Sequence, residues 1–315
     1  MRLQTENLTK SFGEKQVLKG VSFAVESGRA LGLLGRNGAG KTTTIRIIMQ
    51  VFSPDSGKVL LDGTPLHTDR VKIGYLPEER GLYPKKPILE QLLYFGKLGG
   101  LSKKQAAAQA ERLLARLGMA EYRDKRLDTL SKGNQQKIQL VATLITDPDI
   151  VILDEPFSGL DPVNAKLLKD LVKEMIAEGK LVLFSSHQMN YIEEFCNDIV
   201  ILHDGKAVLS GDIGEIKRGF DRRTVEIVTT ESNAVMSFLQ KHKSEAVQKA
   251  EASENLVTVT LARAEDKAVL YALLADCADK IDAFRVKEPT LNEIFVHYTE
   301  DAKCNSFGQF LGLNT

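Results

Sequence analysis

Apolar residues follow two rhythms over the first 211 residues, short continuous runs and helical spacings in turn. Val21 to Val25 and Ala30 to Leu34 read as short strands, and Ile45, Ile48, Met49 and Phe52 mark one face of a helix over Thr42 to Phe52. Ser53-Pro54-Asp55-Ser56-Gly57 stops that helix in a turn. Val59, Leu60 and Leu61 begin a strand that runs into the hairpin pair Asp62-Gly63. Val71 to Leu76 reads as another strand, broken by Pro77. From 87 to 145 the rhythm is helical and β-branched runs are nearly absent. There Ser102-Lys103-Lys104-Gln105 fits a capping box before a helix to Leu117, with Gly118 as C-cap. This stretch reads as a helical insertion between two halves of an α/β core. Ile150 to Leu153 is apolar throughout, as a strand covered on both faces is. A helix after Pro162, a strand at Leu181 to Phe184, a short helix from Met189 and a strand at Ile199 to Leu202 follow. Asp204-Gly205 turns the chain into Ala207 to Leu209.

The character shifts near Gly219. The spacing after it predicts strand, helix, strand, strand (Leu256 to Leu261), helix (Ala268 to Cys277) and strand (Ile281 to Val286), the split-βαβ, ferredoxin-like order. A last helix, Leu291 to Tyr298, begins after Pro289-Thr290. Domains are expected at 1–211, with its helical subdomain at 87–145, and at 223–300, joined by a linker at 212–222 and followed by a loosely ordered tail at 301–315.

Composition narrows the function. The 315 residues carry 42 Lys+Arg and 42 Asp+Glu, which argues against a polyanion binder and hence against nucleic acid as partner. That zero divides: residues 220–315 hold 11 basic and 15 acidic side chains, while 1–219 hold 31 and 27. No apolar run reaches the roughly 18–20 residues of a membrane span. The opening Met1-Arg2-Leu3-Gln4-Thr5-Glu6 lacks the apolar core of a secretory signal. Cys196, Cys277 and Cys304 are far apart and odd in number, so a reducing cytosol is expected rather than a disulfide or zinc framework.

The chemistry is concentrated in two segments. Gly35-Arg36-Asn37-Gly38-Ala39-Gly40-Lys41-Thr42, followed by Thr43, matches G-x-x-x-x-G-K-[ST] in full, after a strand and before a helix. Glycines let successive N–H groups turn toward phosphate oxygens, and the helix that follows adds unpaired donors and its positive dipole end. Lys41 can reach the β- and γ-phosphates, and the Thr42 hydroxyl can sit on Mg²⁺. Asp154-Glu155 ends the apolar strand. Asp154 there would hold Mg²⁺ directly or through water, and Glu155 would polarise the water that attacks the γ-phosphate. Together these predict a nucleoside triphosphatase that uses Mg²⁺, and they leave its kind open.

Leu130-Ser131-Lys132-Gly133-Asn134-Gln135-Gln136 resembles the LSGGQ signature of ABC ATPases. Ser131 and Gly133 match; Lys132 and Asn134 depart from it. Ser158-Gly159-Leu160-Asp161 resembles that family's D-loop, His187 its switch histidine, and Phe12 the aromatic that stacks on adenine. Ile73-Gly74-Tyr75-Leu76-Pro77-Glu78 lies where the family has its Q-loop, with Glu78, or else Glu79, in place of glutamine. A carboxylate at Glu78 can still coordinate Mg²⁺ or its water shell. The C-terminal part is similar to the extension of ABC-2-type exporters of the drug-resistance and sodium-efflux group, through Pro289-Thr290-Leu291-Asn292-Glu293-Ile294-Phe295.

The resemblance implies a P-loop NTPase core of ABC type, with an inserted helical subdomain and a C-terminal α+β ferredoxin-like domain. It implies an ATP-hydrolysing subunit that energises a separate membrane permease from the cytoplasmic face. Two subunits would pair head to tail, each ATP held by one phosphate loop and the other subunit's Ser131 to Asn134. Asp161 would communicate across that dimer, and His187 would hold the γ-phosphate. Tyr83 and Pro84 are either docking surface for the permease or a cap on the helical subdomain. The competing readings are a soluble ABC ATPase acting on a macromolecular complex and a module that binds ATP without turnover. The C-terminal domain is open between ligand sensing, dimer contact and completion of the fold.

Overall fold

A computed structural model describes residues 1–300 except Arg80, Ser158, Gly159 and Asp221. The expected tail at 301–315, with Cys304, and the Ser158-Gly159 pair of the D-loop resemblance lie outside the described residues. The chain divides into two compact units, one of Met1–Ile213 with Tyr298 to Glu300, the other of Gly214–His297.

The first unit opens with β1 (Arg2–Phe12), β2 (Lys15–Glu26), β3 (Ala30–Gly35) and α1 (Lys41–Ile48). β4 (Ser56–Leu61), β5 (Thr64–Pro65) and β6 (Ile73–Leu76) follow, then the helices α2 (Ile88–Leu98), α3 (Lys103–Arg116) and α4 (Lys132–Leu144). The core resumes with β7 (Ile150–Asp154), α5 (Pro162–Ala177), β8 (Leu181–Ser185), α6 (Met189–Phe195), β9 (Asp198–His203) and β10 (Lys206–Asp212).

Six strands form one sheet in the order β10-β9-β3-β8-β7-β6. Its five inner and edge strands from β9 to β6 run parallel, and β10 closes the other edge antiparallel. β3, β7 and β8 are buried at every position, which is why their sequences are apolar runs rather than alternations. A second, antiparallel sheet of order β2-β1-β4-β5 shares a core with it through Leu3, Leu8, Val21, Phe23, Ile45, Ile152 and Leu183.

β1 is not among the elements that the apolar spacing predicts. Only Leu3, Thr5 and Leu8 of it are buried, and the register shifts between Thr5 and Leu8 break the period of two. α1 stops at Ile48, short of the expected Phe52, because Gln50 turns left-handed with φ 55°. The capping box at α3 is formed, with the Ser102 side chain and Gln105 bonded reciprocally. The Asp62-Gly63 and Asp204-Gly205 hairpin turns take the positive φ that such turns need.

The second unit begins within α7 (Ile213–Gly219) and continues with β11 (Thr224–Val228), α8 (Ser232–Lys241), β12 (Val247–Ser253) and β13 (Leu256–Leu261). α9 (Lys267–Leu274), β14 (Ala283–Val286) and α10 (Leu291–Glu300) follow, the last three residues of α10 belonging to the first unit. Its sheet has the order β12-β13-β11-β14, antiparallel throughout, the split-βαβ arrangement. Val225, Ile227, Val257, Val259 and Leu261 on one sheet face pack with Val235 and Leu239 of α8 and Leu270 and Leu274 of α9 in a core of their own.

Candidate active site

Parallel strands bring their carboxyl ends to one edge of a sheet, and loops leaving that edge can converge on a ligand. β3 delivers Gly35 there, β7 delivers Asp154, and β8, lying between them, delivers Ser185. β6 ends beside β7 and leads into the Pro77-Glu78 loop. The motif residues, 152 positions apart at the extremes of Gly35 and His187, therefore meet at adjacent strand ends.

The phosphate-type loop joins β3 to α1. Two of its three glycines, Gly35 and Gly40, are required by packing as well as by chemistry. A Cβ at Gly35 would stand 2.7 Å from the Leu202 carbonyl oxygen, and Gly40, with φ +110°, would put one 2.5 Å from Leu18 Cδ2. Arg36, Asn37 and Gly38 are exposed, while Ala39 and Gly40 are buried. Arg36 Nη2 donates to Glu300 Oε1 at 2.8 Å. Lys41 is buried at the first position of α1 and donates from Nζ to the Gly35 carbonyl oxygen at 2.6 Å. Burial pushes its ammonium pKa down, against the pull of Glu155, Asp154 and Glu78. Thr42 is exposed and Thr43 half-buried in the same turn.

Asp154 is only 3% exposed, and burial pushes its carboxyl up from the ordinary range. The Tyr75 hydroxyl donates to its Oδ2 at 3.4 Å. Ser185, paired with Asp154 in the β7–β8 register, draws the carboxyl down, yet its fully buried Oγ stands outside hydrogen-bond geometry to any described group. The Tyr75 phenol is itself pushed up to about 12, first by burial and then by the Asp154 charge.

Glu155 is the next residue, and its backbone turns left-handed with φ 49°, sparsely allowed for a non-glycine. Its N–H is held by the Ser185 carbonyl oxygen at 2.9 Å. Its carboxylate accepts from Ser186 Oγ at 3.2 Å through Oε2 and meets His187 Nδ1 at 2.7 Å through Oε1. The Glu155 side chain is buried, whereas that of His187 is 63% exposed. The pair thus has one partner anchored in the protein and one facing outward.

Glu78 is exposed, and it acts electrostatically on both Lys41 and Tyr75. Buried Gln139 of α4 donates from Nε2 to the carbonyl oxygens of Pro77 at 3.4 Å and Glu79 at 3.1 Å. Gln136 Nε2, one turn earlier, reaches the Pro156 carbonyl oxygen at 3.5 Å. Phe12 is half exposed, its ring edge-on to Phe52 at 5.5 Å and flanked by Lys10.

Ser131 is the N-cap of α4, its hydroxyl accepting from the Asn134 N–H at 3.3 Å. Lys132, Gly133 and Asn134 form the first turn. Asp161 is the N-cap of α5, accepting from Asn164 N–H at 2.9 Å and from Asn164 Nδ2 at 2.7 Å. A Cβ at Gly133 would lie 3.0 Å from Asn164 Nδ2, so the two helix starts stand against each other. Among the described residues no hydrogen bond or ion pair joins Ser131 to Asn134 with Gly35 to Thr43 inside the chain.

A divalent cation fits these residues. Asp154 is a buried carboxylate with one orphaned hydroxyl beside it, and Glu78 adds a second acidic side chain at the same strand ends. Among the described residues no group of three or more His, Cys, Asp or Glu could hold a metal. A Mg²⁺ site shared with phosphates needs only one or two carboxylates. Spacing along the chain did not single out Tyr75, Ser185, Ser186 or Gln139. Their only signals were position: Ser185-Ser186 directly precedes His187, and Tyr75 stands two residues before Pro77.

Residues 18–158 match the family model described as ABC transporter, and residues 211–299 match the one described as ATP-binding protein DrrA1-3-like, C-terminal domain. The ABC transporter ATP-binding protein YhaQ of Bacillus subtilis (strain 168) is 40% identical over 296 residues, covering 93% of this chain and 97% of its own length. The linearmycin resistance ATP-binding protein LnrL of the same organism is 32% identical, covering 94% and 98%. Among solved structures, an ATP-binding subunit of an ABC transporter superposes with a TM-score of 0.64 at 31% identity, covering 69% of this chain and 92% of that one.

Proposed function

The chain belongs to the family of ABC transporter ATP-binding proteins, and from that premise we propose that it drives an ABC-2-type exporter by hydrolysing ATP beside a separate membrane permease. The observation that carries the reading is the convergence of Lys41, Asp154, Glu155 and His187 at neighbouring strand ends, with the 2.7 Å contact between Glu155 and His187. Export is supported by the length-spanning likeness to a protein named for linearmycin resistance and by the match of the C-terminal unit.

In this reading Gly35 to Thr43 wrap the phosphates with backbone N–H groups and Lys41 balances their charge. The Phe12 ring offers its exposed face to the base. Thr42, Asp154 and Glu78 would hold Mg²⁺, which offsets the charge of the phosphate oxygens. Glu155 takes the proton of the attacking water on its carboxylate, the only buried base beside the loop other than Asp154 among the described residues. His187, held at Nδ1 by Glu155, presents Nε2 to the γ-phosphate.

Ser131 and the N–H groups of the first turn of α4 make an anion site to which, among the described residues, no phosphate loop of its own chain is bonded. A second copy completes it: each signature meets the ATP on the other subunit, and Asp161 and Gly133, side by side, lie at that contact. ATP therefore favours the paired state and ADP does not, which is the differential binding that a switch requires.

Gln139 ties α4 to the Pro77–Glu79 loop, so the state of the site reaches the helical region. There Tyr83, Lys86, Glu90, Gln91 and Tyr94 line a hollow whose tyrosine rings are exposed. The Pro84 carbonyl oxygen and the Tyr83 N–H are meanwhile bonded into the helices, by Asp128 N–H at 2.9 Å and Gln91 Oε1 at 2.8 Å. Backbone cap and docking ring are thus compatible, and the permease is proposed to seat in this hollow. No helix among the described residues is long and apolar enough to cross a membrane, so the proposed membrane station, at the cytoplasmic face, depends on that partner.

Glu155→Gln tests the reading. ATPase turnover is expected to fall at least about a hundredfold, ATP binding to persist, and light scattering to show a dimer with ATP–Mg²⁺. Turnover at the parent rate overturns the role given to Glu155, and a monomer at saturating ATP–Mg²⁺ overturns the pairing.

A further inference from the structure

Four strands present one side-chain parity to the core that contains α1. Ile73 and Tyr75 of β6, Ile150 and Ile152 of β7, Leu181 and Leu183 of β8, and Leu31 and Leu33 of β3 all belong to it. Side chains in a strand alternate faces, so the next residue of that parity on each strand is Asp154 on β7, Ser185 on β8 and Gly35 on β3. Tyr75, Asp154 and Ser185 thus form a row across three adjacent strands, on the side where α1 begins.

We infer that Tyr75 and Ser185 are positioning residues for the nucleotide reaction, two hydroxyls that bracket the Asp154 carboxylate and fix its rotation toward Mg²⁺. The inference rests on the ATPase reading above. Side-chain length suits each strand. Tyr75 is level with Ile152, two residues short of Asp154, a rise of about 6–7 Å along the strand. A phenol spans that gap; a serine or threonine there would not. Ser185 is level with Asp154 itself, so a short hydroxyl suffices. Tyr75 already donates to Oδ2 at 3.4 Å, and the Ser185 Oγ is a fully buried donor with no partner among the described residues. A buried hydroxyl left unpaired costs free energy, so its presence beside a buried carboxylate points to work done on that carboxylate. A carboxylate that binds metal is itself held by hydrogen bonds, and loosening it weakens the metal more than the rest of the site.

Tyr75→Phe keeps the ring in the core and removes only the hydroxyl, and Ser185→Ala removes the other. Mn²⁺ binding to the full chain saturated with ADP, followed by electron paramagnetic resonance, is expected to weaken about tenfold in each variant. Binding of fluorescent ADP in EDTA, and Tm, should stay at parent values, and Ser185→Thr should restore Mn²⁺ affinity. In steady state the Mg²⁺ concentration for half-maximal turnover should rise. Parent-like Mn²⁺ affinity in both variants overturns the inference while leaving the ATPase reading intact. An equal loss of metal-free ADP binding also overturns it, since both hydroxyls would then merely support the fold. A parent protein that binds neither ADP nor Mn²⁺ overturns both readings.

Discussion

At the scale of single residues, the site combines groups that are ordinary in sequence with one that is unusual in backbone. Glu155 follows Asp154 where any strand would turn, but it does so at φ 49°, held by the Ser185 carbonyl oxygen. Left-handed backbone costs a Cβ-bearing residue about 1–2 kcal/mol, and such strain persists where the surroundings demand it. Here it swings the carboxylate away from the strand and onto Ser186 and His187. The strain is testable apart from the chemistry. Glu155→Ala and Glu155→Gly remove the same carboxylate, so both should be inactive. The glycine variant should nevertheless be the more stable, by about 1 kcal/mol in urea unfolding, although alanine is usually the better tolerated. Equal stabilities would mean that the loop relaxes out of this conformation. The motif residues were legible one by one because they are contiguous. The φ of Glu155 was not, since nothing local distinguishes Asp154-Glu155 here from an ordinary solvated turn.

At the scale of elements, two helix starts have an observed duty as caps and a proposed one at the nucleotide. Ser131 caps α4 and belongs to the proposed signature, and Asp161 caps α5 and is the last residue of the stretch that resembles the D-loop. Loss of a cap costs about 1 kcal/mol, so an inactive Ser131→Ala confounds stability with function. Ser131→Asp separates them. Aspartate is as good a cap as serine, but it sets a negative charge where a γ-phosphate is proposed to arrive. The expected outcome is parent-like Tm with ATPase activity lost and ATP binding kept. Parent-like activity would detach Ser131 from catalysis. Capping chemistry was readable in the sequence, as the Ser102 box shows, because it depends on residues three apart. β1 was not readable, because register shifts against β2 interrupt its alternation, and the partners that fix those shifts lie in β2 and β4. α1 was read four residues too long for a related reason: the apolar face continues to Phe52 while the backbone leaves the helix at Gln50.

At the scale of the whole molecule, each unit has its own apolar core. A ligand that binds only the native first unit at 100 times its Kd stabilises it by about 2.7 kcal/mol. ATP–Mg²⁺ should therefore slow amide exchange in β3, β7 and β8 of Glu155→Gln and leave β11 and β13 unchanged; slowing of the second unit's strands would show that nucleotide reaches its core. The zero net charge had already divided unevenly between the two parts of the chain, and the apolar rhythm had separated an α/β stretch, a helical insertion and a split-βαβ stretch. Those features, with the contiguous phosphate loop and the caps, are local properties, so the sequence by itself determined them. The order β10-β9-β3-β8-β7-β6 was decided only in three dimensions. It inserts β8 between strands that precede it, and so sets Ser185, Ser186 and His187 against Asp154 and Glu155, with Tyr75 reaching in from β6. Periodicity reports which face of a strand is buried. Which strand lies beside it is set by packing among distant segments, and that pairing is what makes a site of these residues.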